Sequence, residues 1–442
     1  MAPKILLAAG VAVLGWLAIS KLRRRGEKQR RARKVRRPEA LQSSEPDEIS
    51  VVCYNLLADV YATPKRYPYV RPEWLAWPHR WAALQAQLAS FGADVICLQE
   101  VEPSRWQDML ASPALAGYTG LLQERGRGSD ASPVIANALL WRPDKLGLVW
   151  SESRSRALLA AFVFWDGLGQ QQLLYVANLH LEGSPYRPND RISQTRSALQ
   201  RLEAHQLSHG LSPGDAAVVV CGDFNSGRHE SVCHFLHRGR LEGGTTEPHL
   251  PQVEVTKTTI AHPYALHEAY SSGGVELPFT RKVQSGGGPG AADMAPRWPQ
   301  HVSRAPLLLR LVGAAAACHW PVAGAGATAA AVAAGGRWWL RRRGRVCAWR
   351  GPRVPSLASS LDFIWASCNL EVTALYVPVE ARHEGLIAHQ ALPNQHYPSD
   401  HLPIGATLKL KHFYVEPFGD AHPPPGPAPG DPPQAAQDFE GL

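Results

Sequence analysis

The chain has 442 residues, enough for one large domain or two ordinary ones. Its formal charge of +8 is unevenly spread: residues 1–40 hold twelve Lys/Arg against two acids, residues 281–358 hold twelve against one, and the remainder is left at −13. An acidic body excludes the broad basic footprint that grips long duplexes and leaves room for a short, single-stranded or small phosphate-bearing partner.

Residues 5–19 form an uncharged apolar run, followed by Lys21, Arg23, Arg24, Arg25 and further basic residues to Arg37. A bilayer core asks for about 20 residues, which 2–20 just meets. Lys4 lies within 2–20, but most of the positive charge follows the run instead of preceding it, and no small-residue cleavage site stands before the arginines. Residues 1–20 are therefore expected to anchor the chain in an organelle membrane, the mitochondrial outer membrane being favoured. The positive-inside rule would keep the rest in the cytosol. The alternative is an import peptide leading to a mitochondrial or plastid interior. Residues 21–48 read as a basic, then polar, linker.

The body is expected to run over 49–415. Strands are predicted at 49–54, 95–98, 137–141, 158–165, 173–178 and 216–221, and helices at 74–91, 102–110, 191–208 and 231–238. Alternation of strands and helices, mixed with adjacent strands, argues for packed sheets with helices outside. Cys53, Cys97 and Cys221 sit within apolar runs and no CxxC pair occurs among the seven cysteines. They read as reduced core thiols of an intracellular protein. Residues 283–356 break the pattern, turning Gly-rich, then Ala/Gly-rich, then Trp/Arg-rich. A membrane crossing there would separate motifs that must meet. The segment is a disordered surface insertion or translated non-coding sequence from a faulty gene model, and its abrupt composition shifts favour the second. Residues 416–442 form a Pro/Gly-rich tail expected to be disordered.

Polar groups sit at the tips of the apolar runs: Asn55 in Tyr54-Asn55-Leu56-Leu57, Glu100 in Leu98-Gln99-Glu100-Val101, and His180 in Asn178-Leu179-His180-Leu181. Asp223 and Asn225 follow in Gly222-Asp223-Phe224-Asn225, then Asp362 in Leu361-Asp362-Phe363-Ile364 and Asp400 and His401 in Ser399-Asp400-His401. Each has an ordinary reading alone: a strand-end charge, an Asx-turn, a surface histidine. Together they supply what metal-dependent phosphoester cleavage needs, hard oxygen ligands and histidines for proton transfer or charge stabilisation.

This order of motifs resembles the exonuclease–endonuclease–phosphatase superfamily, with its DNase-I-like fold. Tyr67-Pro68-Tyr69, Trp77-Pro78-His79-Arg80 and Pro398-Ser399-Asp400-His401 are similar to its deadenylase-like branch, which includes nocturnin, angel proteins and 2′-phosphodiesterases. The resemblance covers 49–280 and 359–410. It implies an α/β fold, a four-layer sandwich of two packed sheets flanked by helices. It also implies that Glu100, with Asn55 beside it, binds Mg²⁺ or Mn²⁺, and that Asp223 and Asn225 orient the attacking water and the scissile phosphate. His180 would contact the phosphate, His401 would lie beside it with Asp362 orienting its ring, and Asp400 would support that edge. Pro185 sits where the deadenylases hold a base. Leu357 stands near the position of their stacking aromatic, but it cannot stack as an aromatic would.

The reading that follows is a Mg²⁺-dependent 3′-exoribonuclease acting on single-stranded RNA. The alternatives are a nocturnin-like 2′-phosphatase or a 2′,5′-phosphodiesterase on small nucleotides, and, from another class, a catalytically weak membrane-tethered RNA-binding scaffold. Leucine-rich repeats are absent from the sequence, so a complex built through them is not expected.

Overall fold

The computed structural model describes residues 35–36, 41, 45–124, 135–284 and 356–411. The expected anchor at 1–20, most of the 21–48 linker, the interior of the 283–356 segment and the tail at 416–442 lie outside the described residues. Among the described residues no helix is long and apolar enough to cross a membrane. Everything below concerns the unit that ends at Leu410.

The first strands are β1 (Val35–Arg36), β2 (Glu48–Asn55), β3 (Val95–Val101), β4 (Thr119–Leu122), β5 (Ala136–Trp141), β6 (Gly147–Arg154), β7 (Ala157–Trp165), β8 (Gln171–His180) and β9 (Ala217–Asp223). Short strands follow as β10 (Arg240–Leu241), β11 (Thr246–Glu247), β12 (Leu250–Glu254) and β13 (Ile260–Ala261). The rest are β14 (Leu266–Glu268), β15 (Arg281–Gln284), β16 (Ser356–Ser359), β17 (Asp362–Ser367), β18 (Leu370–Tyr376) and β19 (Ile404–Leu410). The helices used here are α1 (Pro72–Leu75), α2 (Trp77–Phe91), α3 (Trp106–Leu110), α4 (Pro188–Ser208) and α5 (Ser231–Arg238).

Two mixed sheets carry the fold, ordered β1-β18-β19-β2-β3-β5-β4 and β14-β17-β9-β8-β7-β6. The central strands are apolar on both faces, and their two-residue period decides what each face meets. Ile49, Val51 and Cys53 of β2 and Val95 and Cys97 of β3 pack against Leu174 and Val176 of β8 and Ala217, Val219 and Cys221 of β9. That is the core between the sheets. The alternate residues Val52, Tyr54, Ile96 and Leu98 pack outward on Leu84, Leu88 and Phe91 of α2 and Met109 of α3. On the other side Tyr175, Ala177, Val218 and Val220 meet Ile192, Leu199 and Leu202 of α4 and Phe235 of α5. The result is the expected α/β sandwich: helices, sheet, sheet, helices. Cys53, Cys97, Cys221 and Cys233 are buried free thiols.

Several element bounds depart from the sequence reading. The helix expected over 74–91 is two helices, with Ala76 extended between them at ψ 133°. Pro78 cannot donate to the carbonyl four residues back, so the chain restarts with that proline in the first turn of α2. Gly92, at φ 57°, closes α2 in the left-handed conformation. The edge strands β4 and β6 were not anticipated. The exposed, polar alternation of β6 carries a weak apolar signal. The segment read as starting at 283 and ending at 356 begins and ends inside a ladder, because Val283 pairs with Leu357 and Gln284 with Ser356. Composition cannot mark such a boundary, since a ladder is fixed by backbone hydrogen bonds.

Gly222 is the tightest point of the second sheet. Its φ is 148°, and a Cβ there would stand 1.9 Å from the carbonyl oxygen of Leu179 on parallel strand β8. Gly222→Ala is therefore expected to lower stability by at least about 2 kcal/mol through overpacking against backbone. Urea unfolding of the two proteins checks this, and equal midpoints would refute the close approach.

Candidate active site

Strands β2 and β3 run parallel, as do β8 and β9, so each pair delivers its carboxyl ends together. Asn55 ends β2, His180 ends β8 and Asp223 ends β9, with His180 opposite Asp223 in the ladder. Asp362 opens β17 directly across from Asp223 on the antiparallel side. Glu100 lies where the register between β3 and β5 shifts, and its φ of 57° is a left-handed conformation unusual for a non-glycine residue. The bulge aims its carboxylate out of the ladder. His401 comes from the loop before β19.

These groups converge. Asn55 Nδ2 donates to Asp223 Oδ2 at 3.0 Å and to Glu100 Oε1 at 3.4 Å. His180 Nε2 stands 3.9 Å from each of the same two oxygens. The amide of Ala58 donates to Glu100 Oε2 at 3.0 Å. Asn225, at φ 46°, forms an Asx-turn in which its own amide donates to Asp223 Oδ1 at 2.9 Å. Asn225 Nδ2 donates to the carbonyl of Leu181 at 3.1 Å, which turns its side-chain oxygen the other way. His401 Nδ1 is 2.9 Å from Asp362 Oδ2, and its Nε2 is 3.6 Å from Asp223 Oδ2. Thr280 Oγ1 accepts from the amides of Leu361 and Asp362 and fixes the start of β17.

Burial alone would lower the His401 imidazole, but Asp362, Asp223 and Asp400 overcome it and push it up to about 10. Burial also works to raise Asp223, yet His401, His180, the Asn225 amide and Asn55 hold its carboxyl below the ordinary range. His401 thus carries its charge between Asp223, which stays ionised, and Asp362, whose carboxyl burial pushes above the ordinary range while His401 draws it back down.

The donor set fits a divalent cation at Glu100. Glu100 and Asp223 offer hard oxygens aimed at one region, and the Glu100 side chain keeps 14% exposure for a partly hydrated ion. Asn55 fits the ligand role less well than its motif implies. Its oxygen accepts from the Leu57 amide at 3.0 Å, and its NH₂ faces the carboxylates as a donor. Asp223, Asp362 and His401 also bring ligand atoms within 4.8 Å of one another. That trio is the less open of the two, because His401 Nδ1 and Asp362 Oδ2 already engage each other at 2.9 Å and all three groups are buried.

The remaining predicted residues lie around this centre. Asp400 Oδ2, next to His401 in sequence, accepts from Arg281 Nε at 2.9 Å. Pro185 is exposed on the loop after β8, with its carbonyl 3.2 Å from His249 Nε2. Leu357 lies in β16 opposite Val283, and its side chain is outside the described residues. Sequence reasoning passed over Arg281, Thr280, Gln99 and Asn178. Arg281 was absorbed into the basic count of 281–358, while Gln99 and Asn178 stand inside motifs whose neighbours drew the chemistry.

His401 has a folded value above the roughly 6.5 of a free imidazole. Its charge pairing therefore contributes stability that is complete below about pH 6.5 and is lost as pH rises through about 10. In Asp362→Asn the His401 titration is expected to drop by about one to three pH units. Imidazole NMR across a pH series measures it, and an unmoved titration would remove Asp362 as the orienting partner.

Residues 53–401 match the Endonuclease/Exonuclease/phosphatase family. The chain is 27% identical over 269 residues to the CCR4-Not complex 3′-5′-exoribonuclease subunit Ccr4 of Candida albicans, covering 53% of this chain and 34% of that one. Against the subunit of the same name in Saccharomyces cerevisiae it is 27% identical over 272 residues, covering 53% and 32%. The chain thus spans about a third of the length of these curated relatives. The crystal structure of ANGEL2, described as a 2′,3′-cyclic phosphatase, aligns with a TM-score of 0.53 at 18% identity, over 82% of this chain and 95% of that one, and so shares the fold. With 53–401 matched and the strand-end motifs gathered in one place, the chain belongs to the Endonuclease/Exonuclease/phosphatase family.

Proposed function

We propose that this protein is a divalent-cation-dependent phosphoester hydrolase that removes nucleotides from the 3′ end of single-stranded RNA. The observation that carries the reading is the convergence of Glu100, His180, Asp223 and His401 within 3.9 Å of one another's polar atoms in a connected set. The naming of the fungal relatives as 3′-5′-exoribonuclease subunits supports the choice of RNA.

Glu100 and Asp223 would hold the cation, Mg²⁺ or Mn²⁺, which when bound supplies Lewis-acid neutralisation of the phosphate. The other residues act directly. Asp223, kept ionised, and the free oxygen of Asn225 orient the attacking water. His180, at the rim, donates to a phosphate oxygen. His401, charged and held by Asp362, offsets the negative charge that grows as the phosphorus–oxygen bond breaks. The acidic body also suits a small nucleotide phosphate ester, which makes that substrate class the rival reading.

A full-length preparation incubated with Mg²⁺ and a 5′-labelled single-stranded RNA is expected to give a shrinking ladder that chelation abolishes. Asp223→Asn and Glu100→Ala should each reduce the rate by at least about 10²-fold, the scale of losing one preorganised charged group at a reacting centre. An intact RNA with folded wild-type protein would transfer the assignment to small phosphate esters, tested next with 2′-phosphorylated and 2′,5′-linked nucleotides. Equal rates in wild type and both variants would remove this centre from the reaction.

A further inference from the structure

Arg281 has no task in the chemistry above, yet it stands at the centre. It opens β15 directly after Thr280, the residue that fixes Asp362. Its backbone forms an antiparallel bridge with that of His401, which brings the two Cα atoms to about 5 Å. Its Nε donates to Asp400 Oδ2 at 2.9 Å. Asp400 is itself buried and precedes His401, so the anchor of Arg281 and the imidazolium share one loop.

The geometry of that ion pair is one-sided. Arg–carboxylate pairs are frequently bidentate, with two parallel N–H groups meeting both oxygens. Here Arg281 Nε donates to a single oxygen, and among the described residues the two terminal nitrogens have no hydrogen-bond partner. The Arg281 side chain is 29% exposed while Asp400 is 5% exposed, so the pair sits at the edge of the buried centre with the arginine on its more open side. Asp223 and Tyr67 are near enough to act on it electrostatically. Glu100, Asp223, Asp362 and Asp400 crowd this region with negative charge, and an incoming phosphate adds more. A rigid, always-charged fork is the side chain suited to receive it.

We propose that Arg281 is a phosphate-binding residue, held by Asp400, whose terminal nitrogens donate to oxygens of the substrate phosphate lying beside Asp223 and His401. This inference rests on the phosphoester reading above and names a contact for it. Arg281 touches the substrate, and Asp400 acts through it as a positioning residue.

The test uses the full-length protein and inorganic phosphate as the probe, so that binding is read without turnover. With Mg²⁺ present, calorimetric titration is expected to show phosphate affinity falling at least about tenfold in Arg281→Ala, with Arg281→Lys intermediate because it keeps the charge but not the fork. In the RNA assay Arg281→Ala should lose about 10- to 10³-fold in kcat/KM, and added guanidinium ion should restore part of it. Guanidinium should do nothing for Asp223→Ala. Where Arg281→Ala has lost its melting transition, Arg281→Lys becomes the deciding variant. Phosphate affinity and kcat/KM within threefold of wild type in a folded Arg281 variant would overturn the proposal. A wild type that binds phosphate through Arg281 but cleaves no phosphoester would overturn the hydrolase reading and leave the contact standing.

Discussion

The site depends on one buried side chain that joins the two sheets. Asn178, near the end of β8, accepts from Gln99 Nε2 at 2.7 Å and donates to the carbonyls of Leu98 at 3.0 Å and Ala138 at 2.8 Å. Its own carbonyl accepts from Asn137 Nδ2 at 3.2 Å. All of these partners belong to the opposite sheet, on β3 and β5. Apolar packing between sheets is non-directional and tolerates sliding. A fully satisfied amide in a dry interface does not, because displacement strands buried partners at about 1–3 kcal/mol each. The contacts fall at the β3 bulge, one residue from Glu100 and two from His180. The amide that sets the sheets against each other therefore also sets the distance between Glu100 and His180.

A second buried group does the same for the loops. Arg80 on α2 has a fully buried side chain that donates to the carbonyls of Leu56 at 3.2 Å, Leu57 at 2.8 Å and Pro398 at 3.2 Å. It ties the turn after Asn55 to the turn before His401, which are more than three hundred residues apart in sequence. Ser399 completes the link by donating from its hydroxyl to the carbonyl of Asn55 at 2.7 Å and accepting from the His401 amide. Such a cation is costly to bury, and burial does lower its hold on the proton. Those three carbonyls, a fourth at Leu75 and Asp59 at 3.6 Å offset that cost and give the two loops one fixed arrangement.

The sequence showed the strands of the site clearly because each is a short apolar run ended by a polar residue, and a strand buried on both faces leaves that signature. It therefore pointed to Asn55, Glu100, His180 and Asp223 at strand ends, whereas Asp362, which opens β17, and His401, in a loop, stood out only through the order of the motifs. It did not show which atom of Asn55 faces the centre, since that is decided by the Leu57 amide taking its oxygen. It did not show Asn178 or Gln99 as more than motif neighbours, because a cross-sheet hydrogen bond leaves no periodic trace. Arg281 was hidden for a different reason: a charge count pools residues by position along the chain, and Arg281 borders a long basic stretch while folding against Asp400, which lies beyond it.

These particulars bear on how the acidic body of a chain with net charge +8 can receive an acidic substrate. A body at −13 gives no long-range attraction for a phosphodiester chain, so affinity must come from contacts made at close range. The centre is built for that. Its anionic groups are each tied to a donor: Asp223 to Asn55 and His401, Asp362 to His401, Asp400 to Arg281, and Glu100 to the Ala58 amide. Glu100 keeps the more open carboxylate of the pair that would meet a cation. Negative charge is thus locally compensated before substrate arrives, and the donors that remain turned outward, at His180 and Arg281, number few. Close-range contacts of this kind suit one phosphate better than a run of phosphates along a duplex.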